Sequence, residues 1–307
     1  MEQPRASLTA LGAALMRAVH TRLAPSPLID DPWGDRLVVQ AERKAILSVV
    51  LQSLSPQARE RCEGLGDPNA VLDAALQQHP GYGWAVLRAR YAEDVLERAV
   101  RRGVHQYVII GAGFDTFALR QPAFARHVDV FEIDHPATQE LKRQRLRERG
   151  VPVPRRLHFV PADLSHEKLG DALTRSTFLP SELTLFACLG VTQYLAREAN
   201  LTTLRGIAAC SAAESQLAFT YVEQTELGGD RASGGDRRLQ MAFAAAREPW
   251  VSGFDPSLLD HDLAGVGFTL LEDLDGLAVK ERYCPDRTDI FPMPASHIVH
   301  AEVRRCE

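Results

Sequence analysis

The feature that most restricts how this chain can fold is Val108-Ile109-Ile110-Gly111-Ala112-Gly113. Tyr107 to Ile110 is short, apolar and rich in β-branched side chains, so it reads as a strand buried on both faces. It runs directly into Gly-Ala-Gly and then into a helical segment near 114–126. Two glycines there let the chain turn sharply and let a ligand come close to the backbone. The helix start would add N–H groups able to receive a carboxylate, a ribose hydroxyl or a phosphate.

Beyond this turn, apolar runs alternate with helical segments. Asp129–Ile133, Leu157–Val160, Leu183–Ala187 and Gln216–Val222 are the next candidate strands, separated by helical stretches near 136–149, 166–175 and 196–212. A helix at 257–265 precedes two late strands, Phe268–Leu271 and Ile298–Val303. Parallel neighbours need a crossover, so the alternation predicts an α/β fold with a parallel sheet and helices on both faces. Ahead of it the chain is helical. Leu8, Leu11, Leu15, Val19 and Leu23 line one face, APSPLIDDPWGD (24–35) interrupts, and helices follow at 36–51, 69–78 and 84–101. The expected division is a helical N-terminal cap over 1–103 and a core over 104–307. The Gly-rich LGGDRASGGD (227–236) reads as a mobile lid or a disordered loop, within a lid-like insertion at about 223–252.

Composition limits the partners. An apolar share of 45% is enough for a folded core, and 35 basic against 40 acidic residues, net -5, argues against a general nucleic-acid binder. The basic run KRQRLRER (142–149) wraps around a helix and reads as a solvated face, not an RNA contact. No run reaches the roughly 20 apolar residues that span a bilayer. The N-terminal stretch lacks a secretory pattern, so a cytoplasmic location without membrane partners is expected. The five cysteines form no CxxC pair and the ten histidines no HxH or HExxH, so reduced thiols and no metal site are expected.

The turn calls for a nucleoside ligand once Glu132 is added. It ends the second strand, about 20 positions beyond Gly113, where an acid can accept ribose hydroxyls; Asp134 is the alternative on the same side of the strand. A dinucleotide fingerprint would have a third glycine where this chain has Thr116, and Asp115 sets a negative charge where a pyrophosphate would lie. A phosphate-free, cationic cofactor, S-adenosylmethionine, fits better than a nicotinamide. Asp163 could accept the adenine amino group, with the Leu164 N–H near a ring nitrogen, or could instead cap a helix near Ser165.

GAGFDTFALR (111–120), FEIDHPATQELKRQRL (131–146), HFVPADL (158–164), GVTQYL (190–195) and EPWVSGFDP (248–256), with PLIDDPWGDRL (27–37), together resemble the leucine carboxyl methyltransferase family. The resemblance covers nearly the whole chain and is nearer the bacterial, polyketide-type O-methyltransferase branch than the phosphatase-modifying one. It implies a Rossmann-like class I methyltransferase: a mostly parallel, seven-stranded sheet under a helical N-terminal cap. It implies cofactor contacts from Gly111, Ala112, Gly113 and Asp115, from Glu132 or Asp134, and from Asp163 with Leu164. An arginine on the helix before the first strand would meet the methionine carboxylate; Arg88 is the first choice and Arg90 the second. Two positions depart from the family pattern. Phe117 stands where many relatives have Arg, and Leu189 stands where many have an acid facing the methionine portion.

The acceptor implied is a carboxylate or hydroxyl of a small organic acid or natural product. An ionised carboxylate needs no general base, and none of His135, His166, His261, His297 or His300 stands out as one. Gln193, Tyr194, Tyr221 and Trp250 are the candidate pocket residues, with Trp33, Tyr82 and Trp84 as further aromatics. The competing functions are a nicotinamide-dependent oxidoreductase and a non-catalytic cofactor binder of the same fold.

Overall fold

Strand β1 (Gln106–Ile110) is buried at every position, and the rest of the architecture is built outward from it. The computed structural model describes residues 7–164, 166–227 and 248–305. β2 (Asp129–Asp134) and β3 (Leu157–Pro161) lie on one side of β1; β4 (Thr184–Cys188), β5 (Gln216–Val222), β7 (Ser296–Val303) and β6 (Phe268–Asp275) lie on the other. The order is β3-β2-β1-β4-β5-β7-β6 in one seven-stranded sheet. The first five strands are parallel, and β7 runs antiparallel to both neighbours. The expected Rossmann-like, mostly parallel sheet is therefore present.

Alternation along each strand divides the core. Val108, Ile110, Phe131, Ile133, Phe186 and Phe219 pack on one face against α10 (Arg197–Ala209) and α11 (Leu259–Ala264). Tyr107, Ile109, Val130, Leu185 and Ala187 pack on the other against Leu87, Tyr91, Val95 and Leu96 of α6 (Tyr82–Arg101). A third cluster joins α1 (Leu8–Leu23), α3 (Gln40–Ser53) and α5 (Pro68–Gln78), and includes Phe114, Leu119 and Leu146 of the sheet portion. Because that core is shared, the N-terminal helices are fixed over the carboxyl ends of the strands.

Local signals set the helix starts. Ser7 caps α1 by accepting from the Ala10 N–H at 3.1 Å, and Asp67 caps α5, with Pro68 at its first position. Three helices were not evident in the sequence: α2 (Trp33–Leu37), α4 (Pro56–Glu63) and α12 (Gly276–Tyr283). α4 has the sequence PQARERCE and buries only Ala58 and Cys62, too few apolar positions for a periodic pattern. The helix expected near 114–126 is one turn, α7 (Phe117–Arg120). Gln121 takes a left-handed φ of 48° and Pro122 follows. α8 (Pro136–Glu148) and α9 (Leu169–Leu173) complete the helices named here. β6 runs four residues beyond its expected end at Leu271, carrying Glu272, Asp273 and Asp275 on an edge strand, where charge discourages further pairing. Among the described residues no helix is long and apolar enough to cross a membrane.

Across β5, β6 and β7 lies a buried polar cluster. Tyr221 donates its hydroxyl to Asp273 at 2.8 Å and stacks on His297 with ring centroids 4.6 Å apart. His297 sits between Asp273 (3.0 Å) and Glu223 (3.3 Å). Burial opposes its protonation, but the two carboxylates prevail and raise its pKa above the ordinary 6.5. A raised histidine pKa stabilises the fold below the unfolded value, and that contribution is lost as pH climbs through the folded value. The stability advantage of wild type over His297→Gln is therefore expected to be greatest below about pH 6.5 and to shrink above it. Urea denaturation of both proteins between about pH 5.5 and 8.5 checks this, and a pH-independent difference would contradict it.

Candidate functional site

The glycine turn closes against the end of β2. The Gly111 and Ala112 N–H groups both donate to the Ile133 carbonyl, at 2.9 and 3.1 Å. Gly113 donates to Asp134 Oδ2 at 2.5 Å, and Asp115 donates to the Ala112 carbonyl at 2.7 Å. The Asp115 carboxylate in turn accepts from the Phe117 N–H at 2.8 Å. Most of the turn's donors are thus satisfied internally, and α7 is too short to act as an anion site. What the turn offers a ligand is close approach, not a phosphate cradle. Glycine is required at both ends. Gly111 has φ +66° and a Cβ there would meet Val191 Cγ2 at 2.4 Å; Gly113 has φ +49° and a Cβ would meet Ala10 Cβ, on α1, at 2.9 Å.

A cavity of about 280 Å³ lies between this turn, α1, α3 and α6. A second lobe of about 240 Å³ adjoins it at the ends of β2, β3 and β4. Ile110, Gly111, Asp134 and Val191 line both lobes, so they form the neck. Asp163, Leu164, His135 and Cys188 line the second lobe. Arg88, Asp115, Leu189, Gln193, Tyr194 and Trp250 line the first.

Arg88 carries the most informative charge. Two arginines line the larger lobe. Arg17 is paired with Asp31 at 2.7 Å and donates to the Phe114 carbonyl at 3.1 Å. Arg88 has neither hydrogen bond nor ion pair with any described residue. Burial brings its guanidinium down to about 10; Tyr194 opposes that fall and Arg17 adds to it. Its plane lies over Gly190, where a Cβ would sit 2.4 Å from Nη1, and Gly190 has φ +71°. A guanidinium that lines a cavity with no carboxylate partner among the described residues is a receptor for one. Arg90, the second choice, is bonded to Asp94 at 2.6 Å on its own helix.

Several expectations need correction. Glu132 does not reach the cavity: it is 1% exposed, beneath the turn, with Oε2 2.5 Å from Lys142 Nζ. The acid two residues on, Asp134, stands at the neck. The two share a side of β2 as expected, but only the outer one clears the glycine turn. The cap that Asp163 could give a helix near Ser165 lies outside the described residues; α9 starts at Leu169, and Asp163 Oδ2 is 2.9 Å from His166 Nδ1. Tyr221 borders the larger lobe, but its ring packs with Phe219 and Phe254 and its hydroxyl is committed to Asp273. Trp33 stacks under Arg36 and Tyr82 packs against His20, so of the further aromatics only Trp84 lines the cavity. Phe117 packs edge-on to Tyr107, with Arg120 over its outer face. Most of the lid-like insertion, 228–247, lies outside the described residues. Its C-terminal end is docked, since the Val251 N–H donates to the Gln193 carbonyl at 2.7 Å and Ser252 Oγ to the Leu195 carbonyl at 2.6 Å.

Sequence reasoning missed His79, Arg17, Asp31 and Lys142. His79 lines the larger lobe; burial brings its pKa down to about 4, and its Nδ1 accepts from the Gly81 N–H at 3.0 Å. Asp31 is fully buried and accepts from both Arg17 and the Thr116 hydroxyl, the latter at 2.6 Å. Burial works against its charge, but Arg17 and Arg120 hold its carboxyl below the usual range.

The profile of the leucine carboxyl methyltransferase family matches residues 10–208. The chain belongs to the leucine carboxyl methyltransferase family. It is 32% identical over 305 residues to YktD of Bacillus subtilis (strain 168), a match that spans 98% of this chain and 99% of that protein. It is 33% identical over 231 residues to a protein of Mycolicibacterium smegmatis, spanning 75% of this chain and 70% of that one. Both relatives are named for S-adenosyl-L-methionine-dependent methyl transfer. Among solved structures, a methyltransferase from Thermobifida fusca YX superposes with a TM-score of 0.55 at 14% identity, covering 95% of this chain and 94% of that one. A DUF574 family protein from Streptomyces avermitilis gives 0.55 at 12% identity, covering 94% and 97%. These two share the fold. As a leucine carboxyl methyltransferase family member the chain is an S-adenosylmethionine-dependent methyltransferase, which sets aside the nicotinamide alternative.

The residues present fit that cofactor. An unpaired guanidinium faces one lobe, a carboxylate stands at the neck, and Asp163 with Leu164 lines the other lobe. Replacing Arg88 by Met is expected to weaken S-adenosylhomocysteine binding by about 10- to 100-fold, and Asp134→Asn by about tenfold. Isothermal titration on folded variants measures both. Wild-type affinity in Arg88→Met would remove Arg88 from the site.

Proposed function

We propose that this enzyme transfers the methyl group of S-adenosylmethionine to an oxygen, of a carboxylate or hydroxyl, on a small organic acid or natural product. In this reading Arg88 grips the methionine carboxylate in a bidentate fork. Asp134 accepts the ribose hydroxyls, and Asp163 with the Leu164 N–H meets the adenine edge. Leu189, in place of an acid, gives the methionine end an apolar wall, so Arg88 carries more of the recognition there.

The observation that supports an oxygen acceptor of modest size is the make-up of the larger lobe beyond Arg88. Met16, Val50, Trp84, Trp250 and Met293 give it apolar walls, and Asp115, Asp134, His79 and Tyr194 are titratable groups beside them. Three of these four already accept a main-chain hydrogen bond. Asp134 and Asp115 accept main-chain N–H bonds, and the His79 Nδ1 lone pair is taken by Gly81. Burial pushes the Tyr194 phenol up, which makes it a donor at neutral pH. A lobe whose described carboxylates and imidazole already accept hydrogen bonds suits an acceptor that arrives as an anion. The cofactor supplies a methyl group already activated on a sulfonium. The protein's task is to orient the acceptor oxygen and exclude water. Trp84 and Trp250 would hold an apolar ring or chain, and Tyr194 would donate to the acceptor's second oxygen.

The test is labelled-methyl transfer to a panel of apolar carboxylic acids and phenols, with products identified by mass spectrometry. Methyl esters or ethers are expected. For a carboxylic acceptor the rate should be level between about pH 6 and 8, because the acid is ionised throughout. Transfer only to nitrogen, carbon or sulfur acceptors would refute the oxygen assignment, and no transfer to any would favour a non-catalytic cofactor binder.

A further inference from the structure

The basic run 142–149 in the C-terminal half of α8 reads as a solvated face, yet its first residue is not solvated. Lys142 is 0% exposed. Arg143 lies over the Phe159 ring, Arg145 reaches Glu42 on α3, and Arg147 pairs with Glu140 on the surface. Gln139, Lys142 and Leu146 instead form the buried face of α8, at helical spacing. Gln139 Nε2 donates to the Glu132 carbonyl at 2.9 Å. Lys142 Nζ donates to Glu132 Oε2 at 2.5 Å and to the Asp115 carbonyl at 2.5 Å.

That second bond connects the ion pair to the cofactor loop. Asp115 closes the turn through its N–H and starts α7 through its carboxylate, so its carbonyl direction fixes how Gly111–Asp115 sits beside the cavity. We propose that Lys142 is a positioning residue. Its ammonium, balanced by Glu132, holds the Asp115 carbonyl inward and sets the turn in the form that accepts the cofactor. Glu132 then serves as counter-charge and touches no part of the ligand. Glu132 has Lys142 as its one cationic partner, and its Oε1 has no partner among the described residues. Burial pushes its carboxyl up to about 7 against the pull of Lys142. The inference rests on the cofactor reading above.

A purely structural ion pair and a positioning one respond differently when both charges are removed. Replacing a buried pair by apolar side chains of similar size is often neutral for stability, while removing one partner leaves a buried charge. In the full-length protein, Lys142→Met is expected to lower the melting temperature and weaken S-adenosylhomocysteine binding by at least about tenfold, since the Asp115 carbonyl loses its donor. Lys142→Met/Glu132→Leu should recover most of the melting temperature while binding stays at least about tenfold weak. Glu132→Gln, which still accepts from Lys142, should bind within about threefold of wild type. Titration calorimetry at a temperature where circular dichroism shows each variant folded reads all three. If Lys142→Met does not fold, the double variant decides alone. Wild-type affinity in the double variant would reduce the pair to a structural one. A loss in Glu132→Gln as large as in Lys142→Met would put Glu132 on the cofactor. Either result overturns the proposal. Wild type failing to bind S-adenosylhomocysteine would instead withdraw the cofactor reading, and this inference with it.

Discussion

The strand order reverses at β1. The chain lays β2 and then β3 on one side of it, then crosses back to place β4 and β5 on the other. Helices that follow strands on opposite sides of such a point diverge, and the carboxyl ends of the strands are left uncovered between them. The cavity groups that the sheet supplies follow from that divergence. The glycine turn leaves β1, Asp134 ends β2, Asp163 follows β3, and Leu189 to Tyr194 leave β4. The N-terminal helices cover this opening because their apolar faces share a core with Phe114, Leu119 and Leu146. Coverage is close enough that α1 touches Gly113, so the second glycine is needed both for its own backbone and for its neighbour's.

How much of this could be read from the residues depended on whether the signal was local. The buried parallel strands were legible because each is a short apolar run between turns. The glycine turn was legible because no other residue type supplies two left-handed positions so cheaply. Arg88 could be picked out because an arginine on the helix before β1 matched the family pattern. Depth was not legible. Glu132 and Asp134 alternate onto the same side of β2, and nothing in the spacing says which clears the turn. Lys142 was lost among arginines because a charge run carries no mark of the one helix position that faces inward. Arg17, Asp31 and Thr116 form one network through contacts between residues 14 and 85 positions apart, a separation that no local pattern records. Tyr221 does border the cavity, but the bond that ties its hydroxyl to Asp273, 52 positions away, leaves no local mark either.

The charges themselves bear on what the cavity could receive. Arg17 answers Asp31, Arg120 answers Glu93, and Lys142 answers Glu132, each pair buried or nearly so. Removing any one partner from such a pair leaves a charge stranded in a poor solvent, which costs more than the pair itself contributes. The fold therefore holds its internal charges in balance around the cavity, and an unbalanced group there stands out. On one side that group is Arg88. On the other are Asp115 and Asp134, whose carboxylates accept main-chain hydrogen bonds and pair with no cation among the described residues. A pocket with a bare guanidinium at one side and carboxylates at the other matches a ligand that is itself dipolar, with a carboxylate at one end and positive charge and hydroxyls beyond it. It is a poor match for a pyrophosphate, which would meet Asp115 and a turn whose N–H groups are mostly spent. Leu189 sharpens the asymmetry: with leucine there, Arg88 has no anionic partner among the described residues, and its attraction is left for what enters the site.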